Sequence, residues 1–441
     1  MLPGALGRAF RSLAIRNYRL FWFGQLVSLA GTWMQDVALS WLVLSLTDSP
    51  VALGLTMTIR FLPALLLSAY GGILADRLPK RETLIAAQCL QMLIALSMAV
   101  LTSTGIVTVL LIYVLAGIRG LVDAVEGPTR QAFVPEMVGT ADVPNAVALN
   151  STLFNAARVA GPALGAIVIS NLGIAACFYI NAVSFLAVIG ALAAIRPQEL
   201  RMVGGAPKDA VGAGLRSGFR YARSTPEIMI IFIIVGAIGT FGYNFQTLLP
   251  LVARYLLHSG ASTLAVLMTA MGSGSVLAGL IAAYRGRPGR RFLFAASACF
   301  VVLLFSIGLS SSVAMTGALL FLAGVAGVLF MTAANTRIQL TVPNHLRGRV
   351  MGIYYMLFVG TTPIGSYVTG NLAEYGGVRM TVFILALLCA VGVVAAGIYA
   401  MRSRSLGRGT ARPLFVRPGD GKGRSSVPHY GDRVEDGVQP E

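Results

Sequence analysis

The sequence predicts an all-α integral membrane protein with twelve transmembrane helices in two six-helix bundles related by a pseudo-two-fold axis, and three observations predict it. Of 441 residues, 56% are hydrophobic and 12% charged, a balance unlike that of a water-soluble domain. Apolar stretches recur from residue 19 to residue 401, each close to the about 20 residues that a helix needs to cross about 30 Å of hydrocarbon. The cationic residues, finally, sort into alternate loops instead of spreading along the chain.

In order, a basic leader (1–18) precedes spans at 19–46, 51–75, 83–102, 106–125, 144–170 and 174–195. The first apolar run continues past Trp41 with no small-residue cleavage site, so it reads as a retained span and not a signal peptide. Across 196–226 hydrophobicity collapses into a linker, Gly-rich at first and helix-like from about Leu215. There Leu215, Phe219 and Tyr221 with Arg216, Arg220 and Arg223 suit either a helix on anionic headgroups or a solvated connector. The second bundle (227–401) holds spans at 227–253, 262–284, 291–310, 313–336, 347–372 and 378–401. The tail, 402–441, is rich in Arg, Gly, Pro and Ser and reads as disordered.

A net charge of +17 raises the possibility of a nucleic-acid partner, but phosphate binding needs cations gathered on one exposed face. Here Arg254 and Arg379 fall in one set of loops, and Arg60, Arg119 and Arg158 within spans; the remaining 29 of 34 Lys and Arg occupy the other set and the termini. That asymmetry predicts a multi-pass protein of the cytoplasmic membrane with both termini cytoplasmic, and argues against nucleic acid. Cys89, Cys177, Cys299 and Cys389 lie in four different spans, and His258, His345 and His429 lie in loops or the tail without neighbouring ligands. No metal, disulfide or enzyme chemistry follows from them.

A faint repeat joins the halves. Thr129-Arg130 with Val134-Pro135 precedes the fifth span, and Thr336-Arg337 with Val342-Pro343 precedes the eleventh. Gly161-Pro162-Ala163-Leu164-Gly165 is answered by Thr362-Pro363-Ile364-Gly365. Duplicated six-span units suit carriers that rock two bundles about a site near the midplane.

After the second span the chain reads Gly72-Ile-Leu-Ala-Asp76-Arg77-Leu-Pro-Lys80-Arg81, which resembles the GxLaDrxGrk(r) loop of the major facilitator superfamily, with Pro79 where that family has Gly. The equivalent Tyr284–Arg291 loop keeps its cations but has no acid. Three further stretches are similar to the drug and siderophore exporters of that superfamily, such as the enterobactin exporter and macrolide efflux proteins. They are Gly31–Gln35 through Trp41-Leu-Val with Leu46–Pro50, then Arg158-Val-Ala-Gly161-Pro162-Ala-Leu-Gly165, then Leu346-Arg347-Gly-Arg349-Val350. The resemblance implies the major facilitator fold, efflux of a small molecule by alternating access, and a gating loop in which Asp76 meets the start of the eleventh span near Arg347 and Arg349. It also implies an antiporter kink at Gly161-Pro162, although Ala157 stands where that motif has a glycine; a structural bend explains the pair equally well.

Ionisable groups are costly inside a bilayer, about 2.5–3.5 kcal/mol each on insertion scales, so each should have a partner and a task. Asp36 and Arg60 lie at matching depth on consecutive spans, as an ion pair or as a protonatable acid tuned by a cation. Arg119, Asp123 and Glu126 share one face of the fourth span, an interfacial cluster or a proton path. Arg158 is mid-span, facing a cavity, an anionic substrate, or one of these acids. Gln25, Asn155, Asn244 and Gln246 are the polar groups expected to line a substrate cavity, unless they bond neighbouring helices.

No GxxxxGK[ST] loop is present, so the expected energy source is a proton gradient with no bound cofactor. The expected partners are a small amphiphilic substrate and the lipid bilayer, with the monomer functional. A non-transporting sensor or scaffold, an importer and a lipid flippase are the alternatives that the same architecture allows.

Overall fold

A computed structural model describes residues 10–201, 211–285, 288–358 and 360–407, with every side chain in them except those of 68–76, 211–216, 283, 285, 344–345 and 404–407. Gly72, Asp76, Leu215 and Arg216 have their side chains outside that set, and the start of the leader, 202–210 and the tail beyond Gly407 lie outside it altogether.

The first half is six long helices: α1 (Arg16–Thr47), α2 (Pro50–Arg77), α3 (Lys80–Ser103), α4 (Val109–Val138), α5 (Val143–Leu172) and α6 (Ile174–Ala193). The linker contributes α7 (Val211–Ser224). The second half continues with α8 (Pro226–Ala237), α9 (Phe245–Leu251), α10 (Ala261–Arg285), α11 (Arg290–Leu309), α12 (Val313–Thr341), α13 (Asn344–Phe358) and α14 (Thr362–Gly407). Among the described residues there is no strand, as expected where lipid leaves backbone groups no partner outside their own helix.

Ten of these elements are long and apolar enough to cross a membrane as they stand. Helix α4 misses only because Arg119, Asp123 and Glu126 fall within one membrane thickness. The 58-residue stretch Leu346–Ser403 is broken by Gly377, whose φ of 76° turns the chain back. With both counted, twelve crossings result. The seventh span is α8 and α9 together, joined and followed by π-helical turns at Ile238–Gly242 and Val252–Leu256. The eleventh, expected to be continuous, is divided between α13 and the start of α14, where Pro363 cannot donate to the preceding turn.

The halves share features of backbone that their residues do not reveal. The first and seventh spans end in left-handed residues, Asp48 (φ 47°) and His258 (φ 48°). The fifth and eleventh end in glycines of the same kind, Gly173 (φ 83°) and Gly377 (φ 76°), where any Cβ would be strained. The proline repeat diverges: α4 runs on through Pro135 to Val138, whereas α12 stops at Thr341 ahead of Pro343.

We call proximal the membrane face where α1 begins and α6 ends, and distal the opposite one. The seventh span and α1 are the most enclosed, 67% and 61% buried over their spanning stretches against 28% for α5, so they form the centre. Outward faces carry exposed apolar residues such as Leu172, Val183, Val302 and Leu387, suited to lipid. The halves meet where α5 packs on α10, with Gly272 opposite Val159, and where α2 packs on α14. There a Cβ on Gly54 would stand 2.9 Å from the Gly370 Cα, so two glycines set the helix separation.

Candidate functional site

The charge centre is built on α1, α2 and α4. Asp36, 5% exposed, accepts from both terminal nitrogens of Arg60, at 2.9 and 3.1 Å, and from Arg119 Nη1 at 2.9 Å. The two arginines are equally enclosed, at 5% and 4%. Gly120 makes this possible: a methyl there would collide with the Arg60 carbonyl oxygen, so α4 crosses α2 at contact distance and delivers Arg119 to the carboxylate. The guanidinium of Arg60 also lies 5.0 Å from the Phe61 ring centroid. Two guanidiniums surround one carboxylate, Asp123 places a second negative charge within electrostatic reach of both, and such a cluster persists in apolar surroundings only because every member is bonded.

The other two residues of the fourth-span face turn to α3 instead. Asp123 accepts from Gln91 Nε2 at 2.6 Å; Glu126 accepts from Gln88 at 3.4 Å and pairs with Arg130 at 3.3 Å. The spacing of the face is as the sequence implies, yet its charges are divided between two neighbours. Gln88 and Gln91 carry no sequence signal beyond being polar in an apolar span.

Toward the proximal face a cavity of about 570 Å³ lies between α1, α4 and α5. Its polar wall is Gln25, Arg130, Gln131, Asn150, Ser151 and Asn155, its apolar wall includes Phe21, Leu29 and Phe154, and Tyr355 of α13 closes one side. Arg158 stands one helical turn beyond this wall and donates to Asn155 Oδ1 at 3.1 Å. Gln25 and Asn155, predicted to line a cavity, both do. Asn244 and Gln246 do not line it: the Asn244 amide donates to the Thr240 carbonyl and packs against Gly365, and Gln246 Oε1 is buried without a partner. Asn244 thus sits at a contact between the seventh and eleventh spans, the alternative that polar residues in spans carry.

Gly161 and Pro162 are buried on α5, where a methyl at 161 would strike Trp33 and the Ala30 carbonyl; Gly165 faces Met34. On α14 the Pro363 carbonyl accepts from Thr58 at 3.0 Å, and a methyl on Gly365 would strike the Thr240 carbonyl. Both pairs bring helices together, the first within one half and the second joining the eleventh span to the seventh and, across the halves, to the second.

The cations of the Asp76 loop are held inside the first half. Lys80 pairs with Glu136 at 2.7 Å, and Arg81 donates to the Leu192 and Ala193 carbonyls at 2.8 Å each, capping the end of α6; Arg77 is exposed. Arg349 donates to Ser217 of α7 at 2.9 Å, and Arg347 is half-buried. The expected contact of Asp76 with Arg347 and Arg349 falls on a side chain outside the described residues.

A distal seam, absent from the sequence reading, joins the halves. Asp48 accepts from Arg254 and from the Tyr255 hydroxyl, each at 2.9 Å. Glu374 accepts from the Ser49 hydroxyl at 2.7 Å and the Val51 amide at 3.2 Å. The Tyr255 hydroxyl, and then the Arg254 guanidinium, hold the Asp48 carboxyl below the usual carboxylate range. Sequence reasoning had no access to this seam, because its partners lie some 200 residues or more apart, at the distal ends of spans from different halves.

A family model described as "Transmembrane secretion effector" matches residues 8–409. The chain is 27% identical to the staphyloferrin A transporter of Staphylococcus aureus, over 84% of this chain and 92% of that protein. It is 27% identical to the multidrug efflux pump Tap of Mycolicibacterium fortuitum, over 88% and 97%, and 22% identical to macrolide efflux protein A of Streptococcus pyogenes, over 82% and 91%. Two solved structures share the fold. A bacterial homologue of the human lysosomal transporter Spinster, inward-facing and occupied, superposes with a TM-score of 0.69 at 13% identity over 92% of this chain and 99% of that one. The POT family transporter PepTSo gives 0.70 at 11% identity over 89% and 99%.

Proposed function

The chain belongs to the transmembrane secretion effector family of major facilitator transporters, and on that premise we propose that it is a proton-coupled exporter of a small amphiphilic molecule. It is a multi-pass membrane transporter with a small-molecule substrate. The efflux pumps and siderophore transporter among its relatives support the outward direction. The sorting of Lys and Arg supports a cytoplasmic proximal face with both termini inside; a linker between two six-helix bundles and a monomeric unit of function belong to the same proposal.

The observation that carries the coupling half is the different bonding of two acids within the spans, the buried Asp36 and the half-buried Asp123. Asp36 is balanced by two guanidiniums, so a proton arriving there must displace an arginine. Asp123 has an amide partner, Gln91, and exchanges a proton without breaking an ion pair. Asp123 is therefore the proton carrier and the Asp36 cluster the fixed pivot that ties α1, α2 and α4 into one body. With the halves joined distally and the cavity lying proximally, substrate is loaded from the cytoplasm. Opening the distal seam and closing the proximal side, where Asp76 approaches the eleventh span, completes the alternation.

The test is efflux in everted membrane vesicles with an acridine orange readout of the pH gradient, offered macrolides and staphyloferrin A in turn. A substrate-dependent collapse of the gradient is expected, lost in Asp123→Asn while the purified variant still binds. Transport that ignores the gradient, or survives Asp123→Asn unchanged, sinks the coupling scheme.

A further inference from the structure

We infer that the proximal cavity is a site for an anionic amphiphile, so that the substrate carries a carboxylate or chemically similar oxyanion set on an apolar or aromatic body. This rests on the transporter reading above and names the substrate class for it.

Three observations converge. First, the cavity wall contains a cation, Arg130, whose Nε pairs with Glu126, and six neutral polar side chains that can donate, the amides of Gln25, Gln131, Asn150 and Asn155 and the hydroxyls of Ser151 and Tyr355, but no acid. Second, the acids nearest to it are engaged elsewhere. Asp36 is held by two arginines, Asp123 by Gln91, and Glu126 by Gln88 and Arg130; at the proximal ends Glu136 pairs with Lys80 and Asp142 with Arg11 at 3.0 Å. A cationic ligand would find no carboxylate free among the described residues.

Third, the site is short of acceptors. Gln25 Nε2 is buried in the cavity wall without a partner, and so is Arg158 Nε one turn beyond Asn155. The described partner of the Arg158 guanidinium is an amide oxygen, not a carboxylate. A buried donor left unpaired is costly, and a guanidinium in a dry site is most stabilised by an oxyanion that can take two of its N–H groups. A ligand that brings acceptors relieves these orphans; one that brings only donors adds to them. Phe21, Leu29 and Phe154 supply the apolar surface, and a volume of 570 Å³ lies in the range of about 300–1,000 Å³ that holds drug-sized molecules.

Binding of two dyes of similar size and opposite charge tests this. Carboxyfluorescein and rhodamine 6G are titrated against the full-length protein in phosphatidylcholine nanodiscs and followed by fluorescence anisotropy. Carboxyfluorescein should bind at least about tenfold tighter, weaken as salt is raised, and lose about tenfold in affinity in Arg158→Gln and in Arg130→Gln. Equal or tighter binding of rhodamine 6G overturns the inference, and this comparison needs no variant to fold. Arg158→Lys, which keeps the charge, should retain more affinity than Arg158→Gln; equal losses would mean that Arg158 is only structural and overturn its assignment. Displacement of carboxyfluorescein by phosphatidylglycerol would make a lipid headgroup the occupant and overturn the substrate class. The transporter reading fails separately: anion binding without gradient-driven flux defeats the coupling scheme and leaves this site standing, whereas macrolide efflux with no anion binding does the reverse.

Discussion

Helices α2 and α4 in the first half and α10 and α12 in the second cross in the same way, with a glycine of one against a carbonyl of the other. Arg60 and Met271 each lie ten residues after the first residue of their helix, and Gly120 and Gly324 each lie eleven after theirs. A methyl on Gly120 would strike the Arg60 carbonyl, and one on Gly324 the Met271 carbonyl. Yet the chemistry at the crossings differs. Next to Gly120 stands Arg119, bonded to Asp36; next to Gly324 stands Ala323, 1% exposed, and Met271 replaces the second cation. Around the seventh span the second half buries rings, with Tyr243 against Phe245, Phe300 and Phe358, and hydroxyls such as Thr247, which donates to Ser366. The shared crossing teaches that packing alone needs no charge there, so the cost of three buried ions in the first half is carried for a task.

The largest effect should come from breaking that cluster unevenly. Asp36→Leu takes from two buried guanidiniums the carboxylate that bonds them and should cost about 3–5 kcal/mol, enough to abolish a monodisperse peak in size-exclusion chromatography. The triple variant Asp36→Leu, Arg60→Met, Arg119→Ala removes all three charges, with the Met and Ala of the second-half crossing in place of the arginines, and should recover the peak and the melting temperature, without gradient-driven transport. A triple variant no better folded than the single one would show that the two crossings are not interchangeable.

A middle-sized effect tests the glycines. Gly120→Val and Gly324→Val should each destabilise by about 1–3 kcal/mol through overpacking, equally in the two halves, as read from thermal melts. A cost confined to Gly120 would mean that α10 and α12 can part where α2 and α4 cannot.

The smallest effect belongs to the distal seam, because Asp48 is 69% exposed at its side chain. Its carboxyl is held below the usual range, so its contribution to the seam is present above the unfolded value of about 3.9 and is lost as pH falls through the lower folded one. Acidification of the distal side below about pH 4 should therefore lengthen the distance between spin labels placed on the distal ends of α1 and α10, and alkalinisation above neutral should not. In Asp48→Asn that acid-dependent part should vanish; an unchanged acid response would assign it to Glu374.

Much of this architecture was legible in the residues. Length of apolar runs gives the crossings, and the matched depths of Asp36 and Arg60 place them within reach because consecutive antiparallel helices are neighbours. The second partner of Asp36 was not legible, since α1 and α4 are not consecutive and only the Gly120 crossing brings Arg119 to it. The cavity residues Gln25 and Asn155 and the packing residue Asn244 look alike in sequence; which way a helix faces separates them, and no amphipathic pattern marks that when lipid and core are both apolar. The break at Phe358–Thr362 and the π turns left no signal in hydropathy, which averages over the turn in which they occur.

Those π turns have a genetic consequence. A π turn arises when one residue is inserted into an α-helix, and each residue rotates everything beyond it by about 100°. In most spans a single-codon deletion would therefore swing half a helix face out of register. Within Ile238–Gly242 or Val252–Leu256 the same deletion removes a residue that the α-helical ladder already leaves out. Among the described residues the seventh span is thus where the chain can change length by one residue and keep its helical register.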